Sequence, residues 1–274
     1  MSKEVLRGVK SKRIIVVGTL LIALIITMLV SISIGPITIP FKKTIQILLN
    51  KWQISVDATY TQQEWAVITE IRLPRVLVAA FVGAALAVSG AAMQGLFRNP
   101  LVEPGFIGVS SGAALGAVCA IFFGWTYISP WILSLSAFIG ALFALSMILL
   151  IWRISRSNQM TMLLLLGIGV NAFFAALMNV LTAVSKDEQE LRSIAYWLQG
   201  GLEARTWEHV VLVLFRVIFG GLILSFFGRE LNVMLLGEEH AVTTGINVRG
   251  MRYFILICTA LVTGAAVAVS GMIG

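Results

Sequence analysis

The sequence predicts an all-α polytopic membrane protein, and three observations carry that reading. Hydrophobic residues fill 58% of 274 positions and charged residues only 12%, with a mean hydropathy of +0.95. Soluble domains carry about 25% charged residues. Apolar runs long enough to span a bilayer as helix, about 20 residues, recur along the chain, and none shows the alternation of a membrane barrel.

Taken in order, the elements begin with a basic start, Lys3, Arg7, Lys10, Lys12 and Arg13, followed by the apolar run 14–34. That run is longer than the apolar core of a signal peptide and no A-x-A site follows it, so it reads as an uncleaved first helix. Spans are expected near 14–35, 72–94, 106–126, 129–152, 160–184, 208–228 and 252–274. An amphipathic piece at 190–202 lies on the membrane surface or enters it partway, with Trp197 and Trp207 as interfacial aromatics. The two glycines after Gln199 suggest a break in it.

Orientation follows from the basic residues. With the N-terminus in the cytoplasm, the inner segments hold eleven: the five at the start, Arg98, Arg153, Arg156, Arg229, Arg249 and Arg252. The outer segments hold eight, Lys42, Lys43, Lys51, Arg72, Arg75, Lys186, Arg192 and Arg205, and Arg216 falls within a span. Acidic residues number five inside and eight outside, leaving +6 inside and zero outside. The formal net charge of +7 is spread between apolar segments and forms no continuous basic face, which argues against nucleic acid.

The stretch 72–112 departs from a plain anchor. Pro74 suits a helix start. Gly83, Ala84, Ala87, Gly90 and Ala91 offer small surfaces for close helix packing. Gln94 follows, Arg98-Asn99-Pro100 breaks the helix near the inner face, and Glu103-Pro104-Gly105 breaks it again. Such groups are costly in hydrocarbon unless protein or a water-filled cavity surrounds them. The run GVSSG at 108–112 reads either as a half-helix start favouring anionic groups or as a structural turn. Asn171 faces other helices or a pathway. These residues, Gln94, Arg98, Asn99, Pro100, Glu103 and Asn171, are the candidate path or helix-break positions.

The segment 231–248 reads as a cytoplasmic loop with a short helix, started at Gly237-Glu238-Glu239 and stopped by Gly245. Its apolar Leu235, Leu236, Ala241 and Val242 suit either a docking element for a soluble partner or an interfacial helix.

An internal echo links the two halves. VGAALAVSG at 82–90 and TGAAVAVSG at 263–271 agree at seven of nine positions, each preceded by two arginines three apart. The first copy runs outside to inside and the second the other way, the mark of an inverted-topology repeat. Within the first repeat three spans follow its copy, at 106–126, 129–152 and 160–184, and none follows the second copy, so a C-terminal part of about three helices is expected to be missing from a single permease domain covering 1–274.

Several classes are excluded. No G-x-x-x-x-G-K-[ST] occurs, so ATP hydrolysis is not expected on this chain, nor does H-E-x-x-H appear. No span carries the Asp, Glu and His series of a proton-driven pump. His209 and His240 stand alone, and Cys119 and Cys258 read as reduced packing residues, so no metal site or catalytic residue is assigned.

RLPR (72–75), GAALAVSGAAMQGLFRNPLVEPGFIGVSSGAALG (83–116), YWLQGG (196–201), LGEEHAVTTGINV (236–248) and the ending SGMIG together resemble the iron-chelate and cobalamin uptake permeases of bacterial ABC importers. The resemblance implies a ten-helix permease with inverted repeats, here cut to about seven helices, in a multi-pass bacterial cytoplasmic membrane protein. It implies a second permease subunit, two cytoplasmic ATPase subunits that use the ATP, an extracytoplasmic substrate-binding protein and surrounding lipid. By position, Arg72 and Arg75 match binding-protein docking arginines, and Gly237, Glu238, Glu239, Ala241 and Gly245 match the ATPase coupling loop. An iron chelate, haem or cobalamin-like cargo follows. The alternatives from the residues alone are an ion-gradient-driven secondary transporter with inverted repeats and a non-transporting membrane scaffold.

Overall fold

The computed structural model describes residues 3–54, 59–155 and 159–273, with side chains from residue 12 onward except at position 130. Arg156, counted above among the inner basic residues, and Gly274, the end of the last expected span, lie outside the described residues. Among the described residues every regular element is helical: α1 (Lys3–Ser33), α2 (Phe41–Lys51), α3 (Gln62–Ala66), α4 (Leu73–Phe97), α5 (Val109–Phe122), α6 (Pro130–Ile154), α7 (Met160–Val184), α8 (Glu188–Gln199), α9 (Trp207–Phe226), α10 (Gly228–Leu235), α11 (Glu238–Thr243) and α12 (Val248–Ser270). Among the described residues six helical stretches are long and apolar enough to cross a membrane: Lys12–Ser33, Gln62–Phe97, Trp131–Ile154, Met160–Val184, Trp207–Phe226 and Val248–Ser270.

The span expected at 106–126 takes a different form. α5 has only 14 residues, about 21 Å of helix against a hydrocarbon core of about 30 Å. A 3₁₀ turn at Pro104–Ile107 and the left-handed Gly108 (φ +75°) precede it. Its faces are closed by protein, since Val109, Gly112, Ala113, Ala114, Ala117, Val118, Ala120 and Ile121 are all buried.

The contacts divide the chain into two compact units, 1–77 with 204–207, and 78–203 with 208–274. In the first, α2 and α3 are elements the hydropathy pattern does not announce. α2 turns Thr44, Ile47 and Leu48 inward, joining Ile32, Ile39, Ile68, Leu73 and Val76 in one core. α3 starts on a capping box, in which Thr61 Oγ1 accepts from the Glu64 amide at 3.1 Å and Glu64 accepts from the Thr61 amide at 2.8 Å. Lys43 pairs with Glu64 at 2.9 Å. Trp207 donates to the Thr69 carbonyl at 3.0 Å, under Lys51 at 4.5 Å from the ring.

A π-helical stretch, Val67–Arg72, joins α3 to α4. The wider turn resets the helix face, a feature common at functional sites. It delivers Arg72 to the end of α1. There the guanidinium donates to the carbonyls of Ile32 and Ser33 at 3.0 and 2.9 Å and to that of Ile37. The last carbonyls of a helix have no partner within it, and Arg72 supplies one. Gly35 leaves the room, because a Cβ there would lie 2.6 Å from Arg72 Nη2.

In the second unit, backbone meets backbone. A Cβ on Gly140 (α6) would sit 2.1 Å from the Gly112 carbonyl oxygen of α5, and one on Gly116 would sit 2.2 Å from that of Ser136. Small residues permit this approach where burial in lipid alone gives helices little reason to associate. On α9, Arg216 is exposed and its guanidinium lies 5.6 Å from the Phe138 ring.

Two outcomes follow. Gly140→Ala is expected to cost about 2–3 kcal/mol by overpacking, read as a lowered thermal midpoint in detergent, whereas Gly221→Ala, which meets nothing within 4 Å, leaves the midpoint in place. Arg72→Met strands three carbonyls at about 1–3 kcal/mol, and hydrogen exchange at residues 30–37 rises in a measurement that leaves α6 protected.

Candidate functional site

Three places carry the residues singled out from the sequence. The first is the turn between α4 and α5. α4 ends at Phe97, and Arg98 adopts a positive φ of 52°, the left-handed stop that favours glycine. Gln94 Nε2 donates to the Pro100 carbonyl at 3.1 Å. Asn99 Oδ1 accepts from the Leu101 amide at 2.9 Å, an Asx turn. Arg98, Pro100 and Glu103 are exposed, while Pro104 is buried. Gln94, Arg98, Asn99 and Pro100 thus form one compact turn that ends the helix, with Glu103 opening the 3₁₀ turn after it.

Asn171, from the middle of α7, belongs to the next part of the same turn. Its Nδ2 donates to the Gly105 carbonyl at 3.2 Å and its Oδ1 accepts from the Ser111 hydroxyl. Ser111 also donates to the Gly108 carbonyl at 3.1 Å. One turn earlier on α7, a Cβ at Gly167 would lie 1.8 Å from the Phe106 carbonyl oxygen. The side chain of Asn171 therefore pins the 3₁₀ turn and the start of α5 to α7. Of the two readings left open for GVSSG, this geometry supplies a concrete structural one.

The second place is the arginine pair. Arg72 is 8% exposed and committed to α1 as described, so its charge is turned inward instead of outward. Arg75, one turn on, is exposed. Both line a cleft of about 560 Å³ together with Ile34, Gly35, Pro36 and Ile71.

The third is the loop 231–248, which folds as α10 and α11 around Gly237 at φ +134°. Gly245, at φ +84°, closes it by donating to the Val242 carbonyl at 2.9 Å. Ala241 is fully buried and fixes α11 in place, whereas Leu235, Leu236 and Val242 are 47%, 74% and 62% exposed. Glu239 is exposed. Glu238 pairs with Arg252 of α12, whose side chain is buried. Composition gave the exposed apolar trio, but the Glu238–Arg252 pair depends on a tertiary turn that no local pattern signals.

Two further expectations change. Trp197, read as an interfacial aromatic, is only 6% exposed because α8 turns Ile194 and Trp197 to the protein interior. The small residues Gly83, Ala84, Ala87 and Ala91 of α4 are exposed, and a Cβ at Gly83 or Gly90 would meet nothing within 4 Å. The matching run 263–270 of α12 is buried throughout. The two copies share sequence without sharing surroundings.

Comparison with known proteins follows the same lines. The model of the FecCD transport family matches residues 23–274. The hemin transport system permease protein HmuU of Yersinia pestis is 40% identical over 266 residues, covering 95% of this chain and 75% of that protein. A cobalamin import system permease of Halobacterium salinarum is 35% identical, covering 94% and 76%, and a molybdate import system permease of Haemophilus influenzae is 34% identical, covering 93% and 74%. A solved structure described as an inward-facing metal-chelate type ABC transporter superposes with a TM-score of 0.81 at 31% identity, covering 94% of this chain and 77% of that one. The chain belongs to the FecCD transport family.

Proposed function

We propose that this chain is the permease subunit of an ATP-driven importer that moves an iron chelate, haem or cobalamin-type cargo inward across a bacterial cytoplasmic membrane. The named relatives carry hemin, cobalamin and molybdate, and the first two support a large metal-chelate cargo. The observation that carries the reading is the α10–α11 element. A short helix held from beneath by buried Ala241 and by the Glu238–Arg252 pair presents Leu235, Leu236 and Val242 outward. Apolar side chains displayed on a rigid mount suit a partner protein, here a cytoplasmic ATPase subunit. Gly237 and Gly245 shape the mount, and Glu239 lies beside the contact. The basic-residue count puts this element and the N-terminus inside, and the family reading adds a second permease subunit. An ion-gradient-driven secondary transporter finds no support in the family or in its named members.

On the outer side, Arg75 takes the docking role for a substrate-binding protein. Arg72 holds the end of α1 beside it and shapes the cleft they share. A single exposed charge of this kind steers encounter more than it adds affinity. Gln94, Arg98, Asn99 and Pro100 close the inner end of α4. Asn171 keeps the turn joined to α7, whose face with Leu165, Ile168, Phe173 and Val180 is exposed and suits the second subunit or the path.

Co-purification of the ATPase subunit tests the reading. Leu236→Asp combined with Val242→Asp is expected to cut ATPase recovery at least tenfold, about 1.4 kcal/mol or more, with membrane insertion unchanged; undiminished recovery contradicts the assignment. Arg75→Glu is expected to slow association of the binding protein about tenfold at low salt, with the difference shrinking as salt screens it.

A further inference from the structure

We propose that α12 is a rigid strut that fastens the coupling helix α11 to the outer helix α8, with Arg252, Gly200 and Gly271 as its positioning residues. The proposal rests on reading α10–α11 as the ATPase contact and assigns the route by which displacement there reaches the other side of the membrane.

The strut is the most enclosed of the six long helices: 78% of its apolar window is buried, against at most 39% for the others. It has 23 residues, about 35 Å of helix, enough to cross the hydrocarbon core. Val262 to Ser270 is buried at every position, so the outer part of the helix has no open side toward which it could bend, while the inner part exposes the face of Phe254, Ile257 and Leu261.

Both ends are fastened. At the inner end the buried Arg252 pairs with Glu238 of α11. Four residues separate α11 from α12, and within them Asn247 caps the strut by accepting from the Gly250 amide at 2.9 Å. At the outer end the fastening is backbone on backbone. The Gly201 amide donates to the Ser270 carbonyl at 2.7 Å. A Cβ on Gly200 would lie 2.4 Å from the Met272 carbonyl oxygen, and one on Gly271 would lie 2.7 Å from that of Trp197. Both glycines have positive φ, 68° and 74°. A joint of this kind has no side chain to change rotamer and take up slack. Close packing also makes such contacts switch in discrete steps instead of stretching.

From α8 the connection continues to α7. Asp187 caps α8 by accepting from the Gln189 amide at 2.8 Å, and Ser185, the residue that ends α7, donates to Glu190 at 2.7 Å. A shift imposed on α11 therefore moves α8 and the outer end of α7 as a body. The glycines after Gln199 and the SGM ending of the second copy find their use in this joint.

The experiment uses the assembled permease, its ATPase subunits and the binding protein in proteoliposomes. Spin labels at Gln189→Cys on α8 and Arg249→Cys at the base of α12 read the length of the strut assembly by double electron–electron resonance. A distance constant to within about 2 Å between nucleotide-free and ATP-trapped states is expected; a change of about 5 Å or more, the size of a one-turn slip, overturns the proposal. Gly271→Ala and Gly200→Ala place a methyl against a carbonyl at a strained φ. Each is expected to leave ATPase recovery and basal hydrolysis within about twofold while cargo uptake per ATP falls about tenfold, the size of an ordinary coupling energy. Uptake per ATP within twofold of the unsubstituted complex overturns it. Failure of the underlying reading is separate, since it appears as ATPase recovery indifferent to Leu236→Asp with Val242→Asp.

Discussion

The absence of water in hydrocarbon governs this chain more than any single motif. A backbone that leaves helical geometry inside a membrane must find every donor and acceptor within protein. The break between α4 and α5 meets that demand locally and at a distance. Gln94 and Asn99 bond within the turn, and Asn171 reaches from α7 to Gly105 and Ser111. With those bonds made, α5 can stop at 14 residues and remain enclosed. Its neighbours approach it through glycine, at Gly112, Gly116, Gly140 and Gly167.

Buried arginines answer the same demand at two helix starts. Arg72 satisfies the last carbonyls of α1 and that of Ile37 just beyond it, and Arg252 pairs with Glu238 of α11. In each pair the other arginine, Arg75 or Arg249, stays exposed. One cation of each pair thus builds the fold while the second stays at the surface. A buried charge kept this way is costly to strip of its acceptors, which explains why a residue type associated with surfaces can anchor an interior.

The long spans, the helix break at 98–105 and the capped loop at 231–248 were legible because they rest on local signals: apolar length, proline, glycine and charge. The helices α2, α3 and α10 were not singled out, since each is short and sits beside stronger apolar runs. The inward turn of Arg72 was not legible. It depends on a π turn and on carbonyls 35 to 40 residues earlier in the chain. Trp197 likewise looked interfacial by type but is buried by the face α8 presents. The exposed α4 stripe and the buried α12 stripe differ although their sequences nearly coincide, because packing partners are a property of the whole fold.

The central claim is that motion at the α10–α11 element, driven by a partner's ATP, is converted into inward transport through these enclosed helices. The most direct measurement is cargo uptake by the complete complex in sealed proteoliposomes, with nucleotide supplied on the ATPase side and ion gradients collapsed by ionophores. The account predicts uptake that requires hydrolysable ATP and is indifferent to the ionophores. Uptake that proceeds without ATP and stops when an ion gradient is collapsed would contradict it.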